Sequence, residues 1–373
     1  MDDKVAGFPN RMQFAGTSKP DEHNQLLILN FKEKKIMSTT SGVFSETTLL
    51  NIRSKVDAMM FGDRVDLQYK ARVGALTETM PKIMTANVTP FKDKKKNNKV
   101  EVEWMNACEL VDQACTTCAV GGAELSTNTE VYELTQCREV PFTVNREDFQ
   151  TNDFGYEEAV AKGILTADKL LSEYVVQQYL AFLFNSMGVN QMPAFIGDIG
   201  TVAGHTTNIA TANWGADTVP YITKVTDYNQ FTNPVNLSGN LLYNDLKQYQ
   251  FLDQNLVQKG YLDMINSGNI TWDVFNMQKA GLSDYLFSIS QGAIAWASKA
   301  YYGPGLEDYG KEGKKWSINS QFIPGLVLEV HYNNDCVNDF IKENYNVKIR
   351  FDFWLNPAGC VADNTGVLSF HRV

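Results

Sequence analysis

Between residues 155 and 187 the apolar positions recur with the period of a helix. Ile164, Leu171, Val175 and Phe182 fall within roughly 20° of one line at about 100° per residue, which makes one narrow stripe apolar. Lys162, Lys169, Glu173 and Gln177 project from the opposite side. Glu157 and Glu158 occupy the first turn, where the helix dipole favours negative charge. The spacing predicts a single long amphipathic helix over 155–187. Past Val176 the pattern changes, because Tyr179, Leu180, Leu183 and Phe184 make the segment apolar almost all round; its far end is expected to be buried. Asp168 sits close to the apolar stripe, and Gly163 interrupts the pattern, which predicts a kink there.

Most of the remaining chain reads as strands and loops, an α+β pattern. Residues 1–45 read as an extended arm, broken by Gly7, Pro9, Gly16 and Pro20, with Leu26–Phe31 able to pair as a strand and Met37 an alternative start of translation. Leu49, Leu50, Ile52, Val56 and Met59 set out a short helix within 46–63. Ile83–Phe91 and Val100–Trp104 read as the strands of a hairpin. In the second, Val100, Val102 and Trp104 alternate with Glu101 and Glu103, the period of a strand with one buried face. Between them, Lys92-Asp93-Lys94-Lys95-Lys96-Asn97-Asn98-Lys99 suits an exposed turn. Tyr132–Val144 holds a further strand. Pro193–Tyr309 is mixed: a small, polar first part, then helical patterns at Leu241–Leu256, Tyr261–Ile265 and Ser283–Tyr301, then a break at Gly303-Pro304-Gly305. Phe322–Tyr332 reads as one strand with a bulge or edge at Pro324 and Gly325. Val347, Ile349, Phe351, Phe353 and Leu355 alternate with Lys348, Arg350, Asp352 and Trp354, and after a turn at Asn356-Pro357-Ala358-Gly359 the stretch Val367–Phe370 returns.

A length of 373 residues supports at least one large core and two lobes. The net charge of −10 is spread along the chain, and the one dense basic run is the lysine cluster of the hairpin. Without a broad basic stripe interleaved with aromatics, specific nucleic-acid readout is not expected. Met1-Asp2-Asp3-Lys4 lacks the basic start and apolar stretch of a signal peptide, so synthesis in the cytoplasm is expected. Residues 174–216 carry Asp198 as their single charge, yet Gln177, Gln178, Asn185, Asn190, Gln191 and Pro193 break the hydrophobicity, and no membrane span is expected.

The residues that carry chemistry are dispersed. Of six cysteines (Cys108, Cys115, Cys118, Cys137, Cys336 and Cys360), only Cys115 and Cys118 form a CxxC, with no second pair to complete a zinc ribbon. Free or buried thiols are the leading reading, with disulfides and metal or redox chemistry left open. His23, His205, His331 and His371 lie far apart, His205 in a Gly/Thr-rich loop. No phosphate loop, dinucleotide fingerprint, HExxH or GxSxG occurs. Asn87-Val88-Thr89 and Asn269-Ile270-Thr271 match glycosylation acceptors, which carry meaning only in a secreted chain. Glu157 and Glu158 read as dipole partners, since no His, nucleophile or ligand cluster stands near them. Neither an enzyme nor a cofactor is expected.

Three segments resemble a known family: Val100-Glu101-Val102-Glu103-Trp104-Met105-Asn106, Glu139-Val140-Pro141-Phe142-Thr143-Val144-Asn145 and Tyr156-Glu157-Glu158-Ala159-Val160-Ala161-Lys162-Gly163. Through them, and by the order of elements over roughly residues 46–373, the chain resembles the major capsid proteins of tailed bacteriophages, closest to those of phages infecting Bacteroidetes-type hosts. Encapsulin nanocompartments share that fold. The resemblance implies an N-terminal arm (1–45), a short helix (46–63), an extended hairpin or E-loop (64–106), a peripheral domain (107–194) with the spine helix 155–187, an axial domain (195–320), and C-terminal strands (321–373) closing the two lobes. It also implies pentamers and hexamers tiling an icosahedral head around double-stranded DNA, assembled in the host cytoplasm and without a catalytic centre. The hairpin would lie over an adjacent subunit, making Phe91, Lys92, Lys94, Lys95, Lys96 and Lys99 the candidate contact residues. Expected partners are further copies of the chain, a separate scaffold, portal and minor capsid proteins, and non-specifically held DNA. No Lys and Asn can be matched for an inter-subunit cross-link, and the first 45 residues have no counterpart.

Elementary considerations agree with assembly. A hairpin and an arm spread many weak contacts over several neighbours, and the uncharged Thr/Asn/Gly-rich tract after the helix suits polar contacts around a symmetry axis. Two other classes fit the same sequence: an encapsulin-like compartment enclosing protein cargo, and a polysaccharide-binding β protein using Trp104, Trp214, Trp272, Trp296, Trp316 and Trp354 as platforms.

Overall fold

Helical period and strand alternation sort into separate elements, and the structure is α+β. The computed structural model describes residues 44–61, 71–84, 87–90, 98–106, 126–149, 155–189, 199–214, 218–239, 270–337, 340–357 and 365–373. Its helices are α1 (Glu46–Phe61), α2 (Gly74–Thr77), α3 (Met80–Ile83), α4 (Tyr156–Asn185), α5 (Thr218–Tyr228) and α6 (Val274–Lys279). The strands are β1 (Asn87–Pro90), β2 (Lys99–Asn106), β3 (Ser126–Glu133), β4 (Gln136–Asn145), β5 (Gly200–Ala203), β6 (Thr206–Ile209), β7 (Val235–Ser238), β8 (Ile270–Trp272), β9 (Tyr285–Ile289), β10 (Ile294–Ser298), β11 (Glu307–Asp308), β12 (Lys314–Asn319), β13 (Val327–Val337), β14 (Phe340–Leu355) and β15 (Val367–Arg372). The expected arm and the helical patterns at Leu241–Leu256 and Tyr261–Ile265 lie outside the described residues, apart from Phe44 and Ser45. Ser45 caps α1, its Oγ accepting from the Thr48 amide at 3.2 Å.

Three sheets organise Ser45–Val373, which form one compact unit. Strands β1-β2-β3 make the first. The second runs β10-β14-β13-β12-β11, and β14 is long enough to pair with two strands in succession along one edge: β4 along Lys342–Phe351 and β10 along Phe351–Leu355. The third runs β5-β6-β15-β9-β7-β8, with β15 parallel to β6 and β7 parallel to β8. Against it α5 buries Val219, Ile222 and Val225 on Leu286, Leu368 and Phe370.

The predicted long helix is α4, and its surroundings explain its composition. Val347, Ile349, Phe351 and Phe353 are buried on the face of β14 that meets it. Tyr174 stands edge-on to Phe351 at 6.2 Å, and Tyr179 packs on Phe353 at 5.4 Å. On other sides α1 packs along it, with Asn51 Nδ2 donating to Glu157 Oε1 at 2.9 Å. Tyr179 OH meets Thr79 Oγ1 at 3.1 Å, and Gln177 Nε2 donates to Asn276 Oδ1 at 3.0 Å. With neighbours on several sides, the buried stripe is wider than the narrow one expected: Val160, Ala161, Leu165, Val176 and Leu180 join Ile164, Leu171 and Val175. Each of the Val, Leu and Ile side chains among them contributes about 1.5–3 kcal/mol when fully buried. The far end is buried at Tyr179, Leu180 and Leu183, whereas Phe184 is exposed, its ring edge-on to Tyr285 at 5.5 Å.

At Gly163, where the pattern is interrupted, α4 stays continuous in its span from Tyr156 to Asn185. Close packing accounts for the glycine: a Cβ there would stand 2.5 Å from Phe142 Cε2. The Phe142 ring is stacked on Tyr345 at 5.0 Å, which restrains its retreat. Gly163→Ala, which in an open helix gains about 1 kcal/mol, is therefore expected to cost about 1–3 kcal/mol by overpacking. Urea unfolding decides the sign, and a stabilised variant would show that the ring moves freely.

Other expectations are corrected by the tertiary pairing. Ser283–Tyr301 is not helical but holds β9 and β10, joined through Gly292 at φ +79°. Leu286, Phe287, Ser288 and Ile289 are all buried, so both faces of β9 are covered and no alternation betrays the strand. Ile83 ends α3 instead of opening a strand, and the Tyr132–Val144 strand proves to be parts of β3 and β4, in different sheets. Phe322–Leu326 is a turn with Gly325 at φ +85°, and β13 begins only at Val327. Val367–Phe370 does not return along β14; β15 pairs with β6 and β9.

Candidate assembly surface

The hairpin predicted around Val100–Trp104 is present. β1 and β2 pair antiparallel in the register Asn87↔Glu103 to Pro90↔Val100. Pro90 is tolerated because β1 is the outer strand of its sheet. β3 covers the other side of β2, from Lys99↔Glu133 to Asn106↔Ser126. Alternation gives the sheet two unlike faces. Val100, Val102 and Trp104 are buried against Leu134 and Ala295, with Ala297 and Trp354 beside them, and Tyr132 stacks on Trp354 at 5.1 Å. This inner face seats the hairpin on β10 and β14. The outer face carries Lys99, Glu101, Glu103, Thr129, Val131 and Glu133, of which Val131 is 50% exposed. At its lysine end the base is pinned: Asn98 Nδ2 donates to Glu133 Oε1 at 2.6 Å, Leu134 N to Asn98 O at 2.8 Å, and Lys299 Nζ to Lys99 O at 3.3 Å.

Of the candidate contact residues, Lys99 is exposed at the start of β2, while Phe91, Lys92, Lys94, Lys95 and Lys96 lie outside the described residues. A second candidate region, the uncharged tract after α4, supplies the β5–β6 hairpin. Thr201, Val202, Ala203, Gly204 and His205 are exposed there, with Gly204 at φ +63° in the turn.

Of the buried acidic groups, Asp168 was marked by its place near the apolar stripe, whereas Glu329, Glu343 and Asp273 carried no such signal. Glu329 and Glu343, each 1% exposed, lie on opposite faces of the second sheet. Glu343 faces α4, accepts from Tyr156 OH and, at 3.1 Å, from Tyr345 OH, with Arg146 Nη1 at 3.9 Å. Burial pushes its carboxyl up against the pull of the Tyr345 hydrogen bond and of Arg146. Glu329 reads as solvent-facing from alternation but is covered by the loop at Tyr301, whose amide donates to it. Asp273 is likewise buried: it caps α6 through the Asn276 amide at 2.9 Å and accepts from the Ala75 amide of α2 at 3.0 Å.

A cavity of about 310 Å³ opens between α1 and β12, floored by Leu49, Ile52, Val56, Ile164 and Trp316. Arg53 at its rim donates to Pro304 O and, at 3.2 Å, to Ser317 O. Glu157 and Glu158 stand in the first turn of α4, as expected of dipole partners. Among the six tryptophans, Trp104, Trp296 and Trp316 are buried and Trp214, Trp272 and Trp354 are half-buried. Cys137 is an exposed free thiol on β4; Cys108, Cys115, Cys118 and Cys360 lie outside the described residues. Among the described residues no three His, Cys, Asp or Glu side chains gather to hold a metal ion, and no helix is long and apolar enough to cross a membrane.

No family model and no curated protein matches the chain. Solved structures that resemble it include a capsid structure of cyanophage P-SCSP1u (8% identity, TM-score 0.42, covering 76% of this chain and 85% of that one). A chain of Mycobacterium phage Adephagia (13%, TM-score 0.41, covering 89% and 99%) and a capsid chain of cyanophage Pam1 (10%, TM-score 0.39, covering 90% and 98%) are similar to the same degree. Likenesses this slight assign no family.

Proposed function

We propose that this chain is the major capsid subunit of a tailed bacteriophage, building pentamers and hexamers of an icosahedral head around double-stranded DNA. One packing contact carries the reading most directly. Two of the three segments that resemble capsid proteins meet in space, where Phe142 of β4 lies against Gly163 of α4. The third forms β2, the central strand of the hairpin sheet. The likeness in sequence thus corresponds to a packed arrangement of spine helix, sheet and hairpin.

In this reading residues 1–45 are the arm, 64–106 the E-loop, 107–194 the peripheral domain, 195–320 the axial domain, and 321–373 the strands that close the lobes. The placement of β14 and β15 in different sheets supports that closing role. The exposed, uncharged β5–β6 hairpin suits polar, wet contacts between copies. Scaffold, portal and minor capsid proteins are the expected partners, DNA is held non-specifically, and assembly proceeds in the host cytoplasm. An encapsulin-like shell would use the same contacts around protein cargo; terminase, portal and tail genes beside the coding sequence favour the phage, a cargo enzyme the compartment.

Negative-stain microscopy of the purified protein is expected to show uniform shells or capsomer rings. A strictly monomeric species under all conditions, with scaffold supplied, would overturn the proposal. Reversing Lys92, Lys94, Lys95, Lys96 and Lys99 to Glu is expected to abolish particles, because mismatched charge at each repeated contact costs several kcal/mol. Stability of the unassembled subunit should change by no more than about 0.5 kcal/mol per surface site. Undiminished particle yield would remove the lysine loop from the interface.

A further inference from the structure

The buried side of α4 contains one carboxyl group, Asp168, at 1% exposure. It sits where the helix meets the turn between β12 and β13. Ser320 Oγ donates to its Oδ1 at 2.6 Å and Ser172 Oγ to the same oxygen at 3.0 Å, while the Gln321 amide donates to Oδ2 at 2.8 Å. Ser320 also organises the turn, its Oγ accepting from the amides of Phe322 at 3.1 Å and Ile323 at 3.2 Å. The turn therefore hangs on the helix through this side chain. Each donor is neutral, and among the described residues Asp168 forms no ion pair. Charged groups on the adjoining elements are engaged elsewhere or line other surfaces. Arg53 of α1 bonds Pro304 O and Ser317 O, and Asp57 lines the cavity beside Gln321. Lys169 and Glu173 of α4 line a groove with Arg72, and Lys315 of β12 lies over the rings of Tyr302 and Tyr309.

A carboxylate buried among neutral donors lacks the cation that would offset its desolvation. We propose that Asp168 is a proton-responsive junction: protonation removes the buried charge and tightens the docking of the 320–326 turn on α4, and deprotonation loosens it. The network can take the proton without moving heavy atoms. Protonated Oδ1 donates to Ser172 Oγ, whose hydroxyl rotates, while Oδ2 keeps the Gln321 amide. Ser172 Oγ and Ser320 Oγ stand 3.3 Å apart, within reach of such a rearrangement.

Burial pushes the Asp168 carboxyl up to about 6, against the downward pull of Ser320, Gln321 and Ser172. An exposed aspartate titrates near 3.9. Between those values the docked state holds the proton and the open state releases it. The junction's stability is thus fully present below about pH 4 and is lost as pH rises through about 6. Local opening of the turn should become about tenfold more frequent between pH 5 and pH 7.

The test uses the full chain with ¹³C-labelled aspartate carboxyls, together with hydrogen exchange over residues 320–326 corrected for the intrinsic effect of pH. One aspartate signal titrating near 6 is expected, absent in Asp168→Asn. Exchange from the turn should rise about tenfold from pH 5 to 7 in the parent and stay flat in Asp168→Asn, whose amide imitates the protonated acid. Ser320→Ala, which removes a donor to the ionised form, should move the titration upward if the asparagine variant fails to fold. The proposal is overturned if every aspartate titrates below 5, if the signal near 6 survives in Asp168→Asn, or if Ser320→Ala leaves it unmoved. None of these outcomes depends on whether the subunit forms shells.

Discussion

Arg350→Ala is expected to destabilise the subunit by about 3–5 kcal/mol, the range for removing one partner of a buried pair. Glu329, 1% exposed on β13, is the group left behind. Arg350 Nη1 donates to its Oε1 at 2.7 Å, the Tyr301 amide donates to the same oxygen, and the guanidinium lies 3.8 Å from the centre of the Tyr301 ring. The other oxygen faces His331 Nε2 at 3.6 Å, an electrostatic contact too long for a hydrogen bond. Burial pushes the Glu329 carboxyl up, but His331, the Tyr301 amide and Arg350 together hold it below the usual carboxylate range. Without the guanidinium the folded-state carboxyl must rise, so the deficit should shrink as pH falls and Glu329 takes up a proton. Combining Arg350→Met with Glu329→Leu is expected to recover most of the loss, because removing both charges removes the uncompensated one. Urea midpoints across pH 5–8 measure all three variants. A single-variant loss under about 1 kcal/mol would show that solvent reaches Glu329.

Trp316→Ala should cost a similar 3–5 kcal/mol. The ring is fully buried at the floor of the cavity between α1 and β12, on the strand face opposite Lys315 and Ser317. Deleting it enlarges a space of about 310 Å³ that the surroundings already leave unfilled, which limits collapse and favours the upper end of the range. Amides of α1 should lose hydrogen-exchange protection first, since this helix borders the cavity. A platform for sugars would behave differently: the variant would keep its stability and lose glycan binding.

The residues of β2 and β14 show how much was legible in the chain. Each has one face on the core and one toward solvent or a loop, so burial repeats every second residue and the alternation can be read directly. The Tyr156–Asn185 helix was legible for the related reason that a long run averages out irregularities. For β9 the same logic fails, because apolar neighbours cover both faces and leave a short apolar run with no period. Of the candidate contact surface, alternation identified the buried inner face of the hairpin; Lys99, read as part of an exposed turn, is exposed but opens β2, and residues 91–96 lie outside the described residues.

By itself the sequence determined the elements whose periods are long or one-sided: the long helix Tyr156–Asn185, the hairpin strand Lys99–Asn106, and the alternating C-terminal strand. Tertiary structure alone decided which residues meet across the chain. Gly163 looks like a helix breaker until the Phe142 ring is seen against it. Glu329 looks like a solvent-facing acid until the Tyr301 loop covers it, and β15 looks like the return of β14 until it pairs with β6 and β9. Local pattern records whether a side chain is buried on its own element. It carries no record of the partner that does the burying, because that partner lies up to hundreds of residues away.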